Sequence, residues 1–239
     1  RAADSDIYTV IDLGLPEGTP DAASVRQIFI DRSQRVWLGT AWGLLQLDPD
    51  SGAVLRRYTA APDRHDSLPR ASISSICQTH DKALWIGTAH GLRRFDPVHE
   101  RFSRPTVRDG SRDVLGVSDI LSCLPDPDGS LWVGTASGIV HFQPGRGVLR
   151  SYGEADGLPS LTIYSMLRDA DRNIWAGTDR GLLRLDPATG RVRSYGQRDG
   201  LENEEFNQSA AYAGKDGALY FGGVHGITVV HPDRLWRST

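Results

Sequence analysis

A tryptophan (once a tyrosine) followed two residues later by glycine recurs five times, and no other feature restricts the fold so sharply. The copies are Trp37-Leu38-Gly39-Thr40, Trp85-Ile86-Gly87-Thr88, Trp132-Val133-Gly134-Thr135, Trp175-Ala176-Gly177-Thr178 and Tyr220-Phe221-Gly222-Gly223. Successive aromatics are 48, 47, 43 and 45 residues apart. A second glycine stands four residues after each first one: Gly43, Gly91, Gly138, Gly181 and Gly226. Six residues further on comes a proline: Pro49, Pro97, Pro144, Pro187 and Pro232. A repeat of about 40–50 residues with this pattern is the signature of a propeller or a similar array.

The second copy shows what one repeat contains. Ile73 to Gln78 reads as a largely buried first strand, and Thr79 to Lys82 as a polar turn. Leu84 to Thr88 is a second strand, and Ala89-His90-Gly91 turns into a third that ends at Asp96-Pro97. Proline has no amide to donate and belongs at such an end. A fourth strand closes around Arg101-Phe102. Asp128-Gly129 and Asp216-Gly217 put a strong hairpin signal into the first turn of two other copies. Four short antiparallel strands joined by tight turns make one propeller blade.

The expected fold is therefore all-β, a β-propeller of five four-stranded antiparallel blades in one domain. The blades fall at about 22–59, 70–103, 117–152, 160–196 and 206–232. The fifth has no evident fourth strand after Pro232, whereas residues 7–11 resemble a fourth strand lacking the three before it. That segment, within residues 6–12, is expected to complete blade five and close the ring, removing exposed strand edges. The alternative is that the five copies form part of a larger, seven-bladed ring. The recurring aromatic is read as core between neighbouring blades.

A hydrophobic content of 39% describes a globular chain, and no segment approaches the roughly 20 apolar residues of a membrane span. With a net charge of −3, nothing points to a nucleic-acid or anionic-membrane surface. The chain starts with Arg1 and holds a single Met, Met166, as a piece of a longer protein would. Membrane attachment is thus expected only through segments outside it. Cys77 lies eight residues before its tryptophan and Cys123 nine before its own. Strand alternation then puts them on opposite faces, so two buried free thiols are expected rather than a disulfide.

Asp126-Pro127-Asp128-Gly129-Ser130-Leu131-Trp132-Val133-Gly134-Thr135 and Asp169-Ala170-Asp171-Arg172-Asn173-Ile174-Trp175-Ala176-Gly177-Thr178 carry a further resemblance, as does the link Tyr195-Gly196-Gln197-Arg198-Asp199-Gly200-Leu201. From about residue 22 to 232 the chain resembles the two-component regulator propeller repeat of bacterial sensors. The variant copy, with Glu204-Glu205-Phe206-Asn207 before Tyr220, looks like the last blade of such a sensor. The resemblance implies a periplasmic sensing region that precedes a transmembrane helix and a histidine kinase or diguanylate cyclase module. It also implies that carbohydrates are among the ligands of the family, while the repeat itself specifies none.

A blade's path sorts its loops. The Asp/Gly turns and the Asp-Pro turns share one face, where most copies are alike. The turns between second and third strands share the other face and differ, which is where binding residues are expected on a fixed frame. They offer Trp42, His90, Ser137, Asp179, Arg180 and His225 as a candidate ligand-binding rim. Thirteen residues before each aromatic stand Ser24, Ser72, Asp119, Thr162 and Asn207, a small polar set suited to the mouth of a central channel. A tryptophan beside cationic and hydroxyl groups suits a sugar, through stacking and hydrogen bonds.

No His-Glu-x-x-His helix, nucleophile elbow or phosphate-cradling loop occurs in the sequence. His90 and His225 occupy the same slot in two copies and read as loop residues rather than a metal or lyase pair. The expectation is a non-catalytic sensor region with no cofactor and no metal, binding a small molecule or oligosaccharide and not nucleic acid. A protein–protein or homodimerisation spacer is the alternative, and a polysaccharide lyase or hydrolase a weaker one.

Overall fold

The computed structural model of the chain describes residues 10–14, 24–61, 67–69, 71–105, 114–202 and 204–235. Four antiparallel four-stranded sheets and one three-stranded sheet follow one another along the sequence. The first blade holds β1 (Val25–Ile30), β2 (Val36–Thr40), β3 (Leu44–Leu47) and β4 (Val54–Tyr58). The second holds β5 (Ile73–Gln78), β6 (Leu84–Thr88), β7 (Gly91–Asp96) and β8 (Arg101–Ser103). A four-residue helix, α1 (Val114–Val117), leads into the third, with β9 (Ile120–Pro125), β10 (Leu131–Thr135), β11 (Gly138–Gln143) and β12 (Gly147–Tyr152). The fourth holds β13 (Ile163–Arg168), β14 (Ile174–Thr178), β15 (Gly181–Leu185) and β16 (Val192–Tyr195). The fifth holds β17 (Phe206–Ala213), β18 (Leu219–Gly223) and β19 (Gly226–Val230). The inner strands β1, β5, β9, β13 and β17 pack side by side in that order, making a five-bladed β-propeller.

The core lies between blades. Each blade turns its tryptophan row toward the next blade, which answers with the alternate residues of its own strands. Trp132, Ile139 and Tyr152 of blade three thus meet Ile163, Ile174, Leu183 and Leu185 of blade four. Trp37 and Leu44 meet Ile76, Leu84 and Phe95, and Trp85 meets Leu131, Val133 and Phe142. The four tryptophans of the repeat, Trp37, Trp85, Trp132 and Trp175, are 1–2% exposed, so the recurring ring fills the wedge between sheets.

The same facing rule overturns the expectation for the cysteines. Cys77 and Cys123 form a disulfide, with Cα atoms 6.0 Å apart. Cys77 pairs across its sheet with Trp85, on the side that looks forward to blade three, and Cys123 pairs with Val133, on the side that looks back to blade two. Opposite faces of consecutive blades are the faces that meet. Alternation along a strand therefore separates the two side chains by face and still brings the sulfurs together across the blade interface.

Of the segment expected to complete blade five, residues 7–9 lie outside the described residues. Val10 and Ile11 are described and belong to no strand. Leu13 packs on Leu38, Leu45 and Leu47, the side of blade one that looks away from blade two. Among the described residues, the faces that blades one and five would turn to each other stay open. Ile28 and Ile30 on blade one are 66% and 59% exposed, and Ile227 on blade five is 72% exposed, so these faces do not bury each other.

Candidate functional site

The turn between second and third strands owes its shape to the threonine of the repeat. In the first four blades the hydroxyl of Thr40, Thr88, Thr135 or Thr178 donates to the carbonyl of the second glycine at 2.7–2.9 Å. The same oxygen accepts the backbone N–H of Trp42, His90, Ser137 or Arg180 at 2.9–3.1 Å. One buried hydroxyl therefore fixes the backbone from which each variable side chain projects. His225 has no such brace, because Gly223 stands where the threonine would be.

These turns share one face with the starts of the inner strands. Ala41 donates its amide to the Ser24 carbonyl at 3.2 Å, and Ala136 to that of Asp119 at 3.0 Å. The Val224 amide reaches the Glu205 carbonyl at 3.1 Å, two residues before Asn207. In blades one and three the two candidate residues of a blade are thereby held side by side, whereas in blade five Glu205 takes the place of Ser24 and Asp119, and Asn207 falls within the irregular part of β17. Trp42, Ser24, Ser72 and Thr162 are half-buried, whereas His90, Ser137, Asp179, Arg180, His225, Asp119 and Asn207 are exposed.

On the opposite side of each blade the indole is anchored. Trp37 Nε1 donates to Asp31 at 3.0 Å, Trp132 to Asp126 at 3.0 Å and Trp175 to Asp169 at 2.8 Å, while Trp85 uses Thr79 Oγ1 at 3.0 Å. Burial pushes the Asp31 carboxyl up, but the Trp37 indole and the Arg35 and Ser33 donors outweigh it and hold the group below its ordinary value. These aspartates are framework and offer no ligand site.

The axis is less open than a ring of small polar residues implied. β17 carries three extra residues against β18 between Phe206 and Ala211, and this bulge leans across the centre. Gln208 Nε2 donates to the Leu121 carbonyl at 3.2 Å, and Ser209 Oγ to the Ser74 carbonyl at 3.2 Å. Ser209 takes a left-handed backbone, with φ of 57°. A cavity of about 100 Å³ survives beside it, lined by residues that include Gln27, Ser75, Ser122 and Ser165. At roughly 30 Å³ per water it has room for about three. No sequence period marks the bulge, so sequence reasoning had no means of finding it.

Two larger hollows lie on the flanks. One of about 380 Å³ sits between blades four and five against Trp175, Tyr195, Leu201 and Val230. The other, about 260 Å³, is lined by Arg184, Asp186, Arg191, Val192 and Arg193. None of the three hollows is lined by a candidate rim residue. Among the described residues no group of three His, Cys, Asp or Glu side chains is placed to hold a metal ion.

A family model, "Two component regulator propeller", matches residues 67–90, 115–137 and 157–180. No curated protein matches the chain. Among solved structures, the extracellular domain assigned to the hybrid two component system BT3049 of B. thetaiotaomicron is 24% identical with a TM-score of 0.75. The match covers 90% of this chain and 28% of that one. The extracellular domain of the system BT4673 from the same organism is 21% identical with a TM-score of 0.76, over 94% of this chain and 32% of that one. Virginiamycin B lyase from Staphylococcus aureus is 16% identical with a TM-score of 0.59, over 86% and 70%. At these identities the likeness is one of fold. The chain spans about a third or less of the two extracellular domains.

Proposed function

We propose, from the match of three segments to the two-component regulator propeller model, that the chain is a non-catalytic, ligand-binding part of an extracytoplasmic bacterial sensor. Its ligand is a small molecule or oligosaccharide held on the rim that carries Trp42, His90, Ser137, Asp179, Arg180 and His225. Binding is passed to a kinase or cyclase module elsewhere in the protein.

The observation that carries this reading is the threonine brace. Four turns braced in the same way present an indole, an imidazole, a hydroxyl and a guanidinium at equivalent places on one face. A constant frame with variable side chains is how a rigid scaffold builds a recognition surface. The Cys77–Cys123 disulfide supports an oxidising compartment, and the periplasm is one. Similarity to extracellular sensor domains points the same way.

The test is thermal unfolding of the purified chain against oligosaccharides and small metabolites. A ligand at a hundredfold excess over its Kd adds about 2.7 kcal/mol to stability. Trp42→Ala and Arg180→Ala are expected to abolish the shift while leaving the unliganded midpoint in place. A shift that survives both substitutions would remove the rim from the site.

A further inference from the structure

The repeats act as each other's controls, and one blade differs in charge. Outward from every tryptophan runs a cross-strand row: Trp37–Gln46–Arg56, Trp85–Arg94–Ser103, Trp132–His141–Arg150 and Trp175–Arg184–Arg193. In the first three rows each arginine meets a carboxylate. Arg56 pairs with Glu100 at 3.2 Å, Arg94 with Asp81 at 2.9 Å and Arg150 with Asp156 at 3.4 Å. In the fourth, Arg193 lies over the Tyr195 ring at 4.9 Å and has no acidic partner among the described residues. Arg191, two residues before it on the same side of the hairpin, has none either.

These two arginines and Arg184 line the flank cavity of about 260 Å³. One carboxylate, Asp186, shares the lining, and its own turn occupies it. Asp186 Oδ1 accepts the amides of Ala188 at 2.9 Å and Thr189 at 3.4 Å, and Oδ2 accepts the Thr189 hydroxyl at 2.7 Å. Arg191 and Arg193 thus bring to the hollow two positive charges that no carboxylate of its lining answers. Guanidinium groups present forked donors that match planar or tetrahedral oxyanions. The volume is several times that of a water, about 30 Å³, and Val192 adds an apolar wall, so the hollow also accommodates the body that bears the anion.

We propose that the outer flank of blade four is an oxyanion-binding cleft, in which Arg191 and Arg193 clamp a carboxylate, sulfate or phosphate group of a ligand. The cleft is separate from the rim and does not depend on what the rim binds. Its occupant is an acidic small molecule or an acidic sugar unit.

Isothermal titration of the whole chain with sulfate, phosphate and glucuronate, each against chloride at matched ionic strength, tests this. Saturable binding of at least one probe is expected, weakened tenfold or more by Arg191→Gln with Arg193→Gln. Arg56→Gln, at a paired arginine in the equivalent row, is expected to leave it unchanged. The probe that binds best distinguishes an inorganic oxyanion from an acidic sugar. Trp42→Ala is expected to have no effect, which separates failure of this cleft from failure of the rim. The proposal is overturned if no probe binds above the chloride control, or if binding persists in the double variant. Arg56, Arg191 and Arg193 are exposed and the variants leave the half-buried Arg184 in place, so the fold should hold.

Discussion

The clearest rule at the level of single residues is the partnership between each indole and the side chain six positions before it. Asp31, Asp126 and Asp169 accept from Trp37, Trp132 and Trp175, and Thr79 does so for Trp85. In the fifth copy the ring is Tyr220, which has no indole N–H, and the position six before it is Gly214. Ring and acceptor therefore disappear together, as expected if the acceptor exists to satisfy a buried donor. Asp169 also accepts from the Asn173 side chain at 2.9 and 3.1 Å. Its Oδ1 accepts the Asn173 backbone amide as well, at 2.8 Å, so Asp169→Ala should leave three buried donors unpaired and cost about 3 kcal/mol or more. For a chain of this size that lowers the midpoint by roughly 2–4 °C per kcal/mol. Asp169→Thr, which copies blade two, should recover a large part of the loss. Thermal melts of both variants decide it, and equal losses would mean that the carboxylate matters for some reason other than the indole.

Among the elements, the inner strands hold most of what sequence alone left out. The spacing of tryptophans, glycines and prolines made the blades legible, because each is tied to a backbone requirement that repeats. The second glycine illustrates this: a Cβ on Gly181 would lie 2.3 Å from the Tyr195 carbonyl oxygen of the same blade. Contacts between blades leave no such mark. The Cys77–Cys123 bond depends on which face of one sheet meets which face of the next, and the β17 bulge on two residues more than the other inner strands carry at that place. Rim turns could be located from spacing, while the threonine brace that makes them equivalent needed side-chain geometry. The disulfide closes a loop of 46 residues between adjacent inner strands, and such a bond is worth about 2–4 kcal/mol. Reducing it, or replacing both cysteines with alanine, should lower the midpoint by several degrees without changing the strand content seen by circular dichroism. An unchanged midpoint under reductant would show that the blade interface alone holds these strands together.

For the whole molecule, the question is what borders the outer edge of blade five. In blades one, three and four the second glycine is indispensable because a fourth strand runs beside it: Cβ atoms on Gly43, Gly138 and Gly181 would approach the carbonyl oxygens of Tyr58, Tyr152 and Tyr195. Gly226 has the same kind of backbone, φ of +126°, yet among the described residues nothing lies within 4 Å of a Cβ there. Its substitution therefore reads out whether that edge is covered. With β19 uncovered, Gly226→Ala should cost only the conformational penalty of a side chain at positive φ, about 1–2 kcal/mol. Gly181→Ala adds overpacking against the fourth strand, another 1–3 kcal/mol or so, for a total of about 2–5 kcal/mol. The difference between the two variants, measured by chemical denaturation, is thus expected to be at least 1 kcal/mol or so. Equal losses would mean that a strand lies beside β19 in solution, as it does in the other blades. Truncating residues 1–9 then identifies its source. If the cost of Gly226→Ala falls to the smaller value in the shortened chain, the N-terminal segment closes the ring. If it does not, the strand comes from elsewhere, and a ring of more than five blades becomes the better description.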